Sequence, residues 1–304
     1  MRHIFVSIIN FNGAGNTIEC LLSLDKIISK DFKITVVVVD NASHTEFRIK
    51  NLEFRIDVKI IRGEKNLGFS GGQNVGIKYA LENGADYVLI LNNDTIVDKN
   101  LVEELLSAAQ KDKDVGIAVP KIYFASGFEF HKDRYKKVDL GKVFWYAGGK
   151  MDWKNVIGFH RGVDEVDRGQ YDQIEKTDFA SGCCMLVKRE IFEKVGFLDE
   201  KFFLYYEDSD FCERIRRRGY SIIYSPKAIL WHKNAGSAGG SGSSLQDYYI
   251  TRNRMLFGFR YARLRSKLAL FKESIKLLAK GRYWQKRGIL DFYLGRSGRG
   301  SFNV

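Results

Sequence analysis

Apolar residues in the first third of the chain come in blocks rather than in strict alternation. Ile4–Asn10, Ile34–Val39 and Tyr87–Leu91 are continuous apolar runs, and Val58–Ile61 is a shorter one. After Gly15, Ile18, Leu21, Leu22 and Leu24 fall along one side of a helix, and Gly72–Asn83 reads as a second helix closed by Gly84. Strands apolar on both faces and separated by helices predict an α/β fold with a mostly parallel central sheet and helices on both faces. Ligands of such sheets sit beyond the carboxyl ends of the strands. Here the runs end at Asn10-Phe11-Asn12, Asp40-Asn41 and Asn92-Asn93-Asp94, so three polar clusters are expected on one rim.

The pattern then changes. Val143–Gly162, with Trp145, Gly148-Gly149, Trp153 and Gly158, predicts a small antiparallel hairpin. Phe179–Val187 is a further apolar segment. Asp208–Arg218 reads as a helix stopped by Gly219. Ile222–Tyr224 and Ile229-Leu230 are strand-like, Ala235–Ser244 is a Gly/Ser loop, and Tyr248–Lys280 reads as one long helix.

Composition narrows the function classes. A chain of 304 residues with 45% hydrophobic and 28% charged residues can bury a sizeable core and is ordinary for a soluble protein. Cys20, Cys183, Cys184 and Cys212 show no metal-ligand spacing and are expected to be reduced and buried. No apolar run approaches the roughly 20 residues of a membrane span, and the first residues lead directly into a strand rather than a leader. A cytoplasmic protein is expected. The net charge of +12 is uneven: residues 245–304 hold 14 Lys and Arg against Asp247, Glu273 and Asp291, hence 14 − 3 = +11. A nucleic-acid enzyme would carry that charge along its cleft. A basic tail instead suits peripheral contact with anionic lipid on the inner face of the membrane, or a homodimer interface.

Four constellations bear chemistry. Asp94, at the end of an apolar strand, could hold Mg²⁺ or Mn²⁺ against diphosphate oxygens, although Asn92-Asn93-Asp94-Thr95 also suits a plain turn. Glu207, Asp208 and Asp210 open a helix behind Tyr205-Tyr206; one acid would suffice as a cap, and a further carboxylate facing a pocket could accept a proton. His232 beside Trp231 reads as a structural histidine or as a metal ligand. The glycines of Asn66-Leu67-Gly68-Phe69-Ser70-Gly71-Gly72-Gln73-Asn74 would let backbone amides approach a phosphate or sugar.

Together with Val6–Asn12, Val39–Ser43, Ala180–Leu186 and Tyr206–Phe211, these segments resemble, in order and spacing, the family 2 glycosyltransferases of the GT-A fold. The resemblance runs from about Ile4 to Phe257. It implies a nucleotide-binding half (1–120), an acceptor and catalytic half (121–244) and a basic helical C-terminal extension (245–304). It implies that Asp40, with Asn41 beside it, binds the donor base and that Phe11 and Asn12 line the nucleotide pocket. Asn66, Gly68, Phe69 and Asn74 would border base and sugar, and Asn92 and Asn93 the ribose and diphosphate. Asp94 and His232 would ligate the metal, Asp208 would be the catalytic base with Glu207 its neighbour, and Arg252 or Arg254 would reach the diphosphate once the 235–244 loop closes. Trp145, Trp153 and Tyr206 are candidates to stack on sugar faces.

Many family members carry Asp-x-Asp where this chain has Asn92-Asn93-Asp94, which removes one negative charge from the metal site. That variant resembles bacterial rhamnosyltransferases, so the expected donor is dTDP- or UDP-linked and the acceptor a saccharide or lipid-linked saccharide, without nucleic acid. Two rivals stand beside this reading. Gly13-Ala14-Gly15 after the first strand and Asp40 ending the second would suit a Rossmann NAD(P)-dependent oxidoreductase, but Ile18 occupies the third glycine position. A non-catalytic carbohydrate- or membrane-binding module is the other.

Overall fold

The computed structural model describes residues 1–302 apart from 28, 30, 50, 51 and 235–241. Four parallel strands, β1 (Arg2–Asn10), β2 (Phe32–Asp40), β3 (Asp57–Arg62) and β4 (Tyr87–Asn92), lie in the order β3-β2-β1-β4. β5 (Thr95–Val97), β6 (Val115–Phe124), β7 (Phe144–Tyr146), β8 (Gly149–Asp152), β9 (Ile157–His160), β10 (Glu175–Lys176), β11 (Cys184–Lys188) and β12 (Ser221–His232) follow. Next to β4 the sheet runs β11-β6-β12-β10, with β11 antiparallel to both neighbours and β12 parallel to β6. β5 and β7 pair with the ends of β12 and β6, and β8 and β9 form the separate hairpin.

The parallel half follows from its sequence. Val36, Val37, Val38 and Val39 of β2 are all buried, as a strand covered on both faces requires. The register pairs Asn10 with Asp40 and Ile9 with Asn92, so the three polar strand ends line up on one rim.

Among the described residues the α-helices are α1 (Ala14–Leu24), α2 (Gly68–Glu82), α3 (Leu101–Gln110), α4 (Arg189–Val195), α5 (Glu207–Arg217), α6 (Ser244–Tyr261), α7 (Leu264–Lys280) and α8 (Tyr283–Tyr293). Several differ from expectation. The buried face of α1 is Thr17, Cys20, Leu21 and Leu24, while Leu22 is exposed. α2 begins at Gly68 rather than at Gly72, so Gly68 and Gly71 also lie in its first turns. Gly72 and Gly76 let α2 lie close on β1: a Cβ at Gly72 would stand 2.9 Å from Ile9 Cδ1, and one at Gly76 would collide with Ser7 Oγ. The segments 222–224 and 229–230 form one strand, β12, with an irregularity in its pairing between Ser225 and Ile229. The long C-terminal helix breaks at Ala262-Arg263, both extended, and α8 follows. The apolar pattern runs through the break. Packing sets it: Ala262 is buried, and Ser266 Oγ donates to Trp153 O at 2.7 Å.

The C-terminal helices are not a loose appendage. Met255, Phe257, Leu270 and Ile289 share one apolar cluster with Val156 and Phe202, and Trp153 stacks on Phe257. Among the described residues, no helix is long and apolar enough to cross a membrane.

Candidate active site

β5 and β12 build the first half of the site. Their antiparallel register sets Thr95 opposite His232, and Lys233 N donates to Asp94 O at 2.9 Å. The two side chains, 138 residues apart, therefore meet: His232 Nε2 lies 3.1 Å from Asp94 Oδ1. A cation about 2.1 Å from two ligands at right angles sets them about 3.0 Å apart, so this spacing suits two neighbouring positions on one metal ion. Carboxylate with imidazole is a donor set compatible with Mn²⁺. Among the described residues no third His, Cys, Asp or Glu joins them. His232 is buried, and its Nδ1 has no hydrogen-bond partner among those residues. Trp145 packs edge-on against His232 and His160, with ring centroids 4.6 and 4.3 Å away.

The second half is the start of α5. Asp208 Oδ2 accepts from Gly182 N at 3.0 Å, and Oδ1 from Ser209 N at 2.6 Å. Desolvation raises the Asp208 pKa in spite of these bonds. Glu207 is buried with Oε2 unpartnered among the described residues; burial, and then the charge of Asp208, push its carboxyl well above the usual range. Asp210 has a different task, an ion-pair cluster with Arg214 and Arg260 and a bond from Tyr261.

Two residues bridge the halves. Gly182 N holds Asp208, and the adjacent Cys183 O accepts from Asn92 N at 2.9 Å. A Cβ on Gly182 would stand 3.0 Å from the Phe69 ring, so Phe69 closes over the same point. Asn93 Nδ2 donates to Thr17 Oγ1 at 3.0 Å and fills the space beside Gly13, where a Cβ would lie 2.7 Å from it. Phe11, half-buried, and the exposed His44 stand 6.3 Å apart at the end of β1. Asn12 Oδ1 accepts from His44 N.

Other expected site residues serve the framework. Asp40 is fully buried. Burial raises its pKa, but bonds from Phe47 N, Ser43 and Arg62 outweigh that and hold it below its ordinary value. Asn41 binds Asn66 Oδ1, Gly68 O and Leu67 N, fixing the entry to α2. Asn74, expected beside the sugar, is instead clamped to Leu198 and Glu200, which uses both ends of its amide. Arg252, expected at the diphosphate, is buried with its guanidinium on Lys201 O, Phe202 O and Gly298 O. Arg254 pairs with Glu273. Trp153 lies in the C-terminal cluster, and Tyr206 donates to Val156 O at 3.0 Å. The loop expected to close over a donor falls, at 235–241, outside the described residues.

The residue that sequence reasoning missed is Asn253. The loop before α5 carries three non-glycine residues with left-handed backbone: Phe203 (φ 65°), Tyr205 (φ 67°) and Tyr206 (φ 71°). Each such residue costs on the order of 1–3 kcal/mol and persists only where its surroundings offset that cost. Asn253 Nδ2, from α6, donates to Phe202 O, Leu204 O and Tyr205 O, each at 2.8 Å. The segment Tyr248-Tyr249-x-x-Arg252-Asn253 carried this signal, but it pointed to arginine reaching a ligand.

Residues 5–196 match the sequence profile described as Glycosyl transferase family 2. The chain belongs to that family. It is 31% identical over 221 residues to the low-salt glycan biosynthesis hexosyltransferase Agl10 of Haloferax volcanii, covering 72% of this chain and 66% of that protein. It is 26% identical over 262 residues to the dTDP-rhamnosyl transferase RfbF of Shigella flexneri, covering 84% and 79%. In fold this family 2 chain is similar to GalNAc-T7, solved with UDP, GalNAc and Mn²⁺, with a TM-score of 0.62 and 17% identity over 97% of this chain and 57% of that one. The architecture is of GT-A type. A Rossmann oxidoreductase does not fit: β11 enters antiparallel beside β4, and Asp40 is committed to its own loop.

Proposed function

We propose that this family 2 glycosyltransferase moves a sugar, with inversion, from a nucleoside diphosphate donor to an acceptor hydroxyl, with Asp208 as base. The observation that carries the reading is the Gly182-Cys183 bridge, which ties the Asp208 carboxylate to the strand end bearing Asn92 and Asp94. Asp208 takes the proton of the acceptor hydroxyl as its oxygen attacks the anomeric carbon. Gly182 N–H and Ser209 N–H aim the carboxylate. Burial and the Asp208 charge push the Glu207 carboxyl well above the usual range, and Asp210 is tied to Arg214 and Arg260, which leaves Asp208 as the base; one base without a second nucleophile gives a single displacement. A divalent cation, Mg²⁺ or Mn²⁺, bound by Asp94 and His232 would neutralise charge on the departing diphosphate. Phe11 and Asn12 border the donor base, with Asp40 beneath them.

The Shigella relative favours a dTDP-linked donor, with UDP-linked sugars next. A saccharide or lipid-linked saccharide at the cytoplasmic membrane face is the acceptor in this reading. A thermal-shift panel of nucleotide sugars with Mn²⁺ or Mg²⁺ tests it, because a ligand of the native state raises apparent stability. One donor class should stand out and should release nucleoside diphosphate on addition of acceptor. A flat panel with either cation argues for the non-catalytic module.

A further inference from the structure

Helix α7 turns Ser266, Leu270 and Ser274 inward, with Ser274 Oγ 2.6 Å from Tyr293 OH of α8. Another side of the helix is apolar and uncovered. Leu264, Leu268, Phe271 and Ile275 are 72%, 54%, 46% and 53% exposed. At 100° per residue these four positions fall within about 60° of one another, a stripe roughly 17 Å long. Arg265, Lys272 and Lys276 are exposed along its edge. Glu273 is the helix's lone acid, and Arg254 holds it. Single exposed leucines need no explanation, but a row of four with cations beside it does.

We propose that this face of α7 docks on an anionic lipid bilayer. The apolar stripe would enter the level between headgroups and acyl chains, and the lysines and arginine would lie among anionic headgroups. Charge decides between the available occupants. From 262 to 302 the chain carries 11 Lys and Arg against Glu273 and Asp291, and Asp291 is buried. A second copy packed two-fold on the same stripe would set these cations against each other, whereas an anionic surface complements them. The docked face is also joined to the proposed active site. α7 continues from α6, and α6 grips the loop before Asp208 through Arg252 and Asn253. The inference stands apart from the transferase reading, since it needs neither donor nor turnover.

Co-sedimentation of the full-length protein with phosphatidylcholine vesicles, with and without phosphatidylglycerol, tests it. The wild type should pellet only with phosphatidylglycerol present and should be released by salt. Leu268→Glu combined with Phe271→Glu, both at exposed positions, should lower partitioning by about tenfold or more. Its melting temperature and donor-induced thermal shift should stay unchanged. Equal pelleting of wild type and variant, equal pelleting with neutral vesicles, or no pelleting at all each overturns the proposal. So does a wild-type dimer in vesicle-free solution that the double variant abolishes, which would assign the stripe to a second copy. A nucleotide panel without a donor would defeat the transferase reading and leave the vesicle result intact.

Discussion

At the residue scale, the site divides three carboxylates by environment. Asp40 accepts several donors that hold its pKa below the ordinary value, Glu207 is buried with Oε2 unpartnered among the described residues and is pushed well above the usual range, and Asp208 is desolvated yet oriented by two backbone N–H groups. Only the last combination suits a base. Asp208→Asn should cut kcat by about 10²–10⁴-fold while the donor-induced thermal shift survives; unchanged turnover would remove Asp208 from that role. Because its pKa is raised in the folded protein, Asp208 remains protonated to a higher pH than a free aspartate. Activity should therefore fall as pH drops through a value above the ordinary 3.9 or so, and a kcat/KM profile measures where that limb lies. Asp94 and His232 make a second prediction. Replacing either by Ala should raise the Mn²⁺ concentration for half-maximal activity by about tenfold or more, at least the loss caused by removing a partner of a metal ligand. Full wild-type activity in excess EDTA would refute the metal assignment.

At the element scale, the loop before α5 is an imposed conformation. Phe203, Tyr205 and Tyr206 hold left-handed backbone because Asn253 and Arg252 from a distant helix satisfy the carbonyls that this conformation turns towards them. Removing the Asn253 side chain takes its donor from Leu204 O and Tyr205 O, while Phe202 O keeps Arg252. Asn253→Ala should cost about 3 kcal/mol of stability, read as a lower denaturation midpoint, and should lower kcat more than it raises KM for the donor. A variant with reduced stability but normal kcat would show that the loop keeps its shape unaided. α2 offers the opposite balance at Gly76. Alanine there gains about 1 kcal/mol of helix propensity, but overpacking costs about 1–3 kcal/mol. The obstacle is buried Ser7, bonded to Gln73 Oε1 at 2.6 Å, so Gly76→Ala should be net destabilising in a thermal melt.

At the scale of the whole molecule, α6, α7 and α8 complete the enzyme rather than follow it. Tyr248, Tyr249, Phe203 and Phe302 form one aromatic cluster, and Arg252 ties the 201–202 backbone to Gly298. Deleting 245–304 would remove three of these four rings, uncover Phe203 and release the loop before α5. A chain ending at 244 is expected to aggregate or to bind donor without turnover; full activity in a soluble truncated form would contradict this coupling.

The amino-acid sequence alone determined the parallel half of the sheet and the rim on which the polar clusters lie, because continuous β-branched runs between amphipathic helices admit few other arrangements. It also marked Asp94, Asp208 and His232 as candidates for chemistry, and the fold brings Asp94 and His232 to 3.1 Å of each other. It could not separate Asp40, Asn74 and Arg252, which serve the framework, from residues free to meet a ligand. That distinction depends on which polar groups find partners, and their partners here lie from a few to more than a hundred positions away. The helix break at Ala262-Arg263 and the left-handed turn before Asp208 likewise came only from tertiary structure. In both places packing and long-range hydrogen bonds override the local preference of the chain, and no short window of sequence contains them.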